Sequence, residues 1–353
     1  MEQNFKKKNR KELEPYIYIP PKKAKAILWA NESPYNLPLI LKIAAALKAL
    51  GLNYNRYPES ETSELRKAIS EKLGISPDNI LVGNGSDELI FIIIMALLRG
   101  ASRVVVPHPT FSIYEYAAQA LGHRVVKVDL EKDFSLNPVK IIERKPNMVF
   151  IAWPNNPTGV LYPKETLLKL TGRDFWLVID EAYHEFSGET MIREAISHPR
   201  IIVLRTFSKA YSLANLRVGY LISRTETVEL LRKYKLPFNV DGFSREVATL
   251  AMRMYPDGLP AVNKILKEKE KLFAGLLNLG LEVVPSKANF FMVKLGKRAK
   301  EIFEYLKEKG ILVRLIDFPS KDNPRYIRIT VGKSGENKLL LRELSHALQQ
   351  FIS

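Results

Sequence analysis

Between residues 103 and 222 the chain passes six times through a short run that is apolar almost from end to end. The runs are "RVVV" (103–106), "RVVKV" (124–128), "MVFIAW" (148–153), "FWLVI" (175–179), "IIVL" (201–204) and "VGYLI" (218–222). A strand with one wet face alternates apolar and polar residues. These runs do not, so each predicts a strand covered on both faces. Helical periodicity separates them, over 112–121 and 163–171 for example. Strands alternating with helices close through right-handed crossovers, which predicts an α/β fold: a three-layer, doubly wound, mostly parallel sheet.

The flanks read differently. Helical patterns over 38–50 and 62–73 stop at Gly51 and Gly74 and belong with the strands, giving a large domain over 36–245. Residues 1–35 are Pro-rich and irregular and read as an N-terminal arm. From 246 to 353 the pattern is a charged helix (258–279), a strand (289–295), a helix (298–310), strands at 311–316 and 326–331, and a final helix (336–351). That grouping predicts a smaller α+β domain. A chain of 353 residues is too long for one core and fits two domains.

In open α/β sheets ligands bind beyond the carboxyl ends of the strands. Here "MVFIAW" runs into "PNNPTG" (154–159), "FWLVI" into "DEAY" (180–183) and "IIVL" into "RTFSKAYS" (205–212). Singly, each has an ordinary structural reading: a turn, a helix cap for Asp180, a snorkelling Lys209. Together they deliver an Asn-Pro turn, an Asp and a Lys to one rim. A fourth stretch, "GNGSDELIFII" (83–93), leads glycines into a helix whose first turn holds Ser86, Asp87 and Glu88, and free N–H groups there suit an anion. A capped helix reads the same way.

One chemistry uses a Lys, an Asp and a phosphate cradle together. Pyridoxal phosphate (PLP) forms a Schiff base with a Lys, while an acid keeps its pyridine nitrogen protonated. On this reading Lys209 carries the aldehyde and Asp180 pairs with the ring nitrogen. Thr206, Ser208 and Arg217 share the phosphate with the turn at 86–88.

Composition removes other classes. There are no cysteines, which excludes disulfides and thiolate metal sites and fits a reducing compartment. The five histidines show no paired-ligand spacing, so no metal is expected. The longest apolar run, "LIFIIIMALL" (89–98), is too short for a bilayer, and no signal-peptide segment opens the chain, so a cytoplasmic protein without membrane contact is expected. The net charge is +16 but spread out, with one dense basic run, "FKKKNRK" (5–11). That suits small anionic metabolites better than nucleic acid, since no segment before 36 or after 331 fits a DNA-reading module.

"NRYPES" (55–60), "PNNPTG", "DEAY" and "FSKAYSLANLRVGY" (207–220) resemble the fold-type I PLP aminotransferases, and within them the histidinol-phosphate aminotransferases. The likeness runs from about "EPY" (14–16) to the final helix. It implies that Lys209 forms the Schiff base and shuttles the proton, that Asp180 partners the ring nitrogen, and that Asn156 and Tyr183 donate to the ring's phenolic oxygen. It places Phe111 on the ring face and Ser86, Asp87, Thr206, Ser208 and Arg217 around the phosphate. Tyr57 would reach a neighbouring subunit's phosphate, implying a homodimer with shared active sites. Arg328 would clamp the substrate carboxylate, with Arg314 and Tyr16 on the substrate side. Alternation supports Arg328: in "YIRITV" it lies opposite the face of Ile327, Ile329 and Val331. The chain departs from the pattern at Asn215, where relatives often carry Gly, at "NESP" (31–34) for "NENP", and at "YIPP" (18–21).

The implied reaction transfers the amino group of L-histidinol phosphate to 2-oxoglutarate. A threonine-phosphate decarboxylase or an aromatic amino-acid aminotransferase would carry the same motifs.

Overall fold

Successive residues of the central strands enter two separate cores, as runs without polar alternation require. Val105, Val149, Ile179 and Val203 face one; Val104, Phe150, Val178 and Leu204 face the other. The computed structural model describes residues 24–316 and 326–352. Tyr16, expected on the substrate side, lies outside the described residues.

Strand β1 (Ala26–Ile27) lies apart from the main sheet. The seven strands of that sheet are β2 (Ile80–Asn84), β3 (Arg103–His108), β4 (Arg124–Asp129), β5 (Met148–Ala152), β6 (Trp176–Asp180), β7 (Ile201–Thr206) and β8 (Val218–Ile222). Their order is β2-β8-β7-β6-β5-β3-β4. Strands β3 to β7 run parallel, and β8 is antiparallel to both β2 and β7. The sheet is therefore mostly parallel, as the sequence predicts. Strand β2 is the one the apolar pattern does not announce, because its run is cut short where Gly83 and Asn84 lead into helix Gly85–Leu97.

Helices Gly85–Leu97 and Ser112–Ala120 cover one face, burying Leu89, Ile90, Ile93 and Ala117. On the other face lie Leu41 of helix Leu39–Leu50, Leu65 and Ile69 of helix Ser63–Leu73, and Val247 and Ala251 of helix Gly242–Met254. Helix Ser63–Leu73 ends where expected, on Gly74 in the left-handed conformation at φ +65°.

A second sheet is built from β9 (Glu282–Val284), β10 (Phe290–Lys294), β12 (Arg314–Ile316) and β13 (Tyr326–Thr330), all antiparallel in the order β12-β13-β10-β9. Helices Ala261–Asn278, Ala299–Glu308 and Ser334–Ile352 accompany it. The run at 311–316, expected as one strand, is two. Strand β11 (Ile311–Leu312) pairs in parallel with β1, and the chain changes partner at Val313 before β12 joins β13. Ile311 and Val313 are both buried, so hydrophobicity continues across the change and does not mark it. Pairing of β1 with β11 stitches residues 26–27 to this second unit and carries the following segment, 28–31, to the carboxyl edge of the large sheet. Among the described residues no helix is long and apolar enough to cross a membrane.

Candidate active site

Asp180 closes β6 with its side chain turned inward, and the residue is 5 % exposed. Its Oδ2 accepts a hydrogen bond from the Tyr114 hydroxyl at 2.6 Å and its Oδ1 one from the Ala182 backbone N–H at 3.1 Å. Burial pushes the carboxyl up to about 6, against these two donors, and the charges next in importance are the carboxylates of Asp87 and Glu181. A buried acid whose neighbours are also acids calls for a cation in front of it.

Lys209 lies three residues beyond β7. Its Nζ donates to the Ala30 carbonyl at 2.9 Å. Burial, helped by the Arg328 guanidinium, lowers this amine to about 8. An amine that loses its proton so readily can attack a carbonyl near neutral pH.

Between β8 and the start of helix Gly85–Leu97 the backbones approach closely. Gly219 faces the turn, and a Cβ there would lie 2.6 Å from the Ser86 nitrogen. Gly85 has φ +74°, and a Cβ on it would lie 2.6 Å from Arg217 Nη2. Two positions that admit no side chain leave the Ser86 N–H end of the helix open beside Arg217, whose Nη2 pairs with Asp87 at 2.9 Å. The Thr206 hydroxyl donates to Ser208 Oγ at 3.0 Å, and the Ser208 N–H donates to Thr206 Oγ1 at 3.1 Å. A guanidinium, two hydroxyls and a helix N-terminus make a donor set for a phosphate dianion. Glu88 stands apart from this set. Its carboxylate accepts from the Asn84 N–H at 2.5 Å and from Asn239 Nδ2 at 2.6 Å, so it works as a helix cap. Acceptors alone cannot bind phosphate, and we correct the sequence expectation for Glu88 on that ground.

The half-buried Phe111 meets Tyr114 edge-on at 5.4 Å between centroids, and Tyr114 stacks on Phe150 at 4.9 Å. Across the cleft Tyr183 is buried, its hydroxyl accepting from Asn31 Nδ2 at 2.8 Å. Arg328 of β13 reaches over from the second sheet. Its Nη1 donates to Asn156 Oδ1 at 2.5 Å, its Nη2 donates to the Trp29 carbonyl, and its guanidinium lies 5.4 Å from the Phe290 ring centroid. Arg314 is the cross-strand partner of Arg328, so the two side chains leave the same face of the sheet. Tyr57 stands on the outer surface, 82 % exposed and stacked on Phe238 at 4.7 Å. Among the described residues no group of three His, Cys, Asp or Glu could hold a metal.

A buried amine, a buried acid, a set of donors suited to phosphate and an aromatic wall fit one group, pyridoxal phosphate. Residues 25–344 match the family described as aminotransferase class I and II. The chain belongs to that family. The aminotransferase is 35 % identical to the histidinol-phosphate aminotransferase of Aquifex aeolicus over 350 residues, 97 % of this chain and 98 % of that one. It is 40 % identical to histidinol-phosphate aminotransferase 1 of Carboxydothermus hydrogenoformans over 324 residues, covering 90 % and 92 %. Among solved structures it resembles the histidinol-phosphate aminotransferase of Sinorhizobium meliloti in complex with pyridoxal-5'-phosphate, with a TM-score of 0.84 and 28 % identity over 93 % of this chain and 92 % of that one.

Two side chains of the aminotransferase's site escape sequence reasoning. Tyr114 looks like an apolar-face residue of its helix, and its hydroxyl partner is 66 residues away. Asn31 sits in the "NESP" turn and meets Tyr183 only because β1 docks on β11. A third feature lies behind the site. Glu181 and Arg205, each next in sequence to a site residue, pair at 2.8 Å with side chains 0 % and 4 % exposed.

Proposed function

We propose that this aminotransferase binds pyridoxal phosphate and transfers the amino group of L-histidinol phosphate to 2-oxoglutarate, yielding imidazole-acetol phosphate and L-glutamate. The observation that carries the substrate reading is the cross-strand pair Arg314–Arg328 on the face that looks toward Asn156. The donor ends in a phosphate ester and the acceptor in two carboxylates. A guanidinium fork matches either oxyanion, so one cleft can serve both half-reactions. The curated relatives named above support the same choice.

When bound, pyridoxal phosphate supplies an electron sink for the bond broken at the substrate α-carbon. Asp180 holds a positive charge at the ring nitrogen. Ser86, Thr206, Ser208 and Arg217 would fix the phosphate end, with the Asp87 carboxylate acting through Arg217, which it orients. Phe111 would cover a ring face, and Asn156 and Tyr183 would hold the phenolic oxygen. Lys209, as the neutral amine, would take the proton from the substrate α-carbon.

The assembly is a homodimer with shared active sites. Leu39, Ile40, Ile43, Leu47 and Leu50 make an exposed apolar face on helix Leu39–Leu50, with Tyr54 and Tyr57 close behind in sequence. Apolar surface of that extent supports a second copy as its cover. We place the cleft between the large unit, which runs on past the expected boundary at 245 because helix Gly242–Met254 packs on it, and the small unit that follows, with residues 25–28 on the small side. Because phosphate esters do not leak across membranes, we place the enzyme in the cytoplasm, where such substrates are made.

The test is donor preference on the reconstituted enzyme with 2-oxoglutarate as acceptor. Histidinol phosphate is expected to exceed histidine, tyrosine and phenylalanine in kcat/KM. A better aromatic donor assigns the enzyme to aromatic transamination. Carbon dioxide released from threonine phosphate assigns it to decarboxylation.

A further inference from the structure

Tyr183 can serve the cleft as a hydrogen-bond donor or as an acceptor, and its neighbours decide which. The chain of contacts begins at a group that cannot be turned round. The backbone N–H of Asn31 donates to Thr330 Oγ1 at 3.0 Å. A hydroxyl that accepts there has one proton to give, and Thr330 gives it to Asn31 Oδ1 at 3.2 Å. The Asn31 amide is thereby oriented with its oxygen toward Thr330. Its nitrogen must face the other way, and Nδ2 donates to the Tyr183 hydroxyl at 2.8 Å. With its oxygen accepting from Asn31, Tyr183 directs its own proton into the cleft.

Burial removes the alternatives. Thr330 is 2 % exposed, Asn31 1 % and Tyr183 4 %, so bulk water does not compete for these groups. Asn289 Nδ2 donates to the Asn31 carbonyl at 3.1 Å and holds the backbone, which is left-handed at φ +54°. Asparagine tolerates that conformation better than most residues. The charges facing Tyr183 are Arg328 and Asp180; burial, with the Asp180 carboxylate adding to it, outweighs the Arg328 guanidinium and the Asn31 hydrogen bond and pushes the hydroxyl up to about 12, so it stays protonated.

We propose that Asn31, oriented by Thr330, is a positioning residue that sets Tyr183 as a donor to the phenolic oxygen of the cofactor. The inference rests on pyridoxal phosphate being the occupant of the cleft. Thr330 comes from the small sheet and Asn31 from the segment that follows the docked strand β1, whereas Tyr183 follows a strand of the large sheet. The donor is therefore set only while the two units are in contact.

Asn31→Asp tests this with almost no change of shape, and aspartate also tolerates φ +54°. A carboxylate accepts from Thr330 as before, but it accepts from Tyr183 as well, so the Tyr183 proton turns away from the cleft. A donor on the phenolic oxygen favours the deprotonated form of the bound chromophore, in which that oxygen carries more charge. The readout is the pH midpoint of the visible band of protein reconstituted with pyridoxal phosphate, without substrate. Asn31→Asp is expected to raise the midpoint by about one pH unit or more, the worth of one hydrogen bond to a charged group. Tyr183→Phe should raise it similarly, and the double variant should add little to Tyr183→Phe alone. Asn31→Gly, which keeps the backbone and removes the amide, should move it the same way by less. An unchanged midpoint in Asn31→Asp or Asn31→Gly overturns the proposal. So does an equal rise from Asn31→Asp in the Tyr183→Phe background, because the new charge would then be acting through space. Wild-type protein that acquires no visible band overturns the cofactor reading itself, and the role of Asn31 with it.

Discussion

The Tyr114 hydroxyl and Asp180 Oδ2 are 2.6 Å apart inside a core that also buries Phe150. The phenol is the strongest force holding the Asp180 pKa down against its burial. In the cofactor-free protein that burial works against stability. A carboxyl raised to about 6 from the unfolded value near 4 is less stabilising when charged, so its cost grows as the pH climbs between those values and is complete above them.

Tyr114→Phe removes the donor and keeps the ring. The Asp180 carboxyl should rise further, and the acid limb of kcat/KM should move to higher pH. Loss of a hydrogen bond to a charged group predicts a fall in kcat of roughly 10- to 100-fold. Asp180→Asn should cost more, since the charge at the ring nitrogen counts most in the transition state. A Phe variant with the wild-type pH profile would show that Tyr114 only fills space.

Glu181 and Arg205 join β6 to β7 behind the site, one residue from Asp180 and from Thr206 respectively. Glu181→Gln removes the carboxylate that accepts both hydrogen bonds from the buried Arg205 guanidinium and should cost about 3–5 kcal/mol in urea unfolding. Combining Glu181→Leu with Arg205→Met should recover much of that loss. If Glu181→Gln unfolds at the wild-type urea midpoint, the pair is not a structural rivet.

Lys209 gives a pH dependence of opposite sign. Burial lowers its amine from 10.5 to about 8, so below about 8 the buried charge costs stability, and the cost fades as the pH rises toward the unfolded value. The rate of covalent pyridoxal phosphate uptake by the cofactor-free protein should rise through about pH 8. Arg328→Gln removes a repelling cation and should move that midpoint upward. A midpoint near that of a solvated lysine would contradict the burial argument.

The exposed face of helix Leu39–Leu50 predicts assembly. Leu47→Glu should weaken the dimer by about 100-fold, visible by sedimentation, with activity falling as monomer accumulates. Mixing Lys209→Ala with Tyr57→Ala subunits should restore about a quarter of wild-type activity, because half the dimers are hybrids with one intact site each. A fully active monomer would refute shared sites.

The sequence makes the large sheet legible because β3 and β5 to β8 are buried on both faces and their runs cannot be mistaken for alternating strands; the run at 124–128 misleads, since β4 is the edge strand of the sheet and fully buries only Val128. Asp180 and Lys209 are legible for a related reason: polar residues at the end of a run buried on both faces, or within a few residues of it, sit at the carboxyl edge. Glu88 misleads because a cap and an anion site look alike in one dimension. Tyr114 and Asn31 are invisible since each acts through a partner more than 60 residues away, and in each the residue type suggests something plainer, a core aromatic or a turn. The break at Val313 is hidden by hydrophobicity that continues across it.

The most direct measurement is the site of covalent attachment. Cofactor-free protein is incubated with pyridoxal phosphate, reduced with borohydride, digested and mapped by mass spectrometry. The expected result is one pyridoxyl group per chain, on the peptide carrying Lys209, and none in Lys209→Ala. Label on another lysine, or spread over the many exposed lysines with no preference for Lys209, would contradict the account.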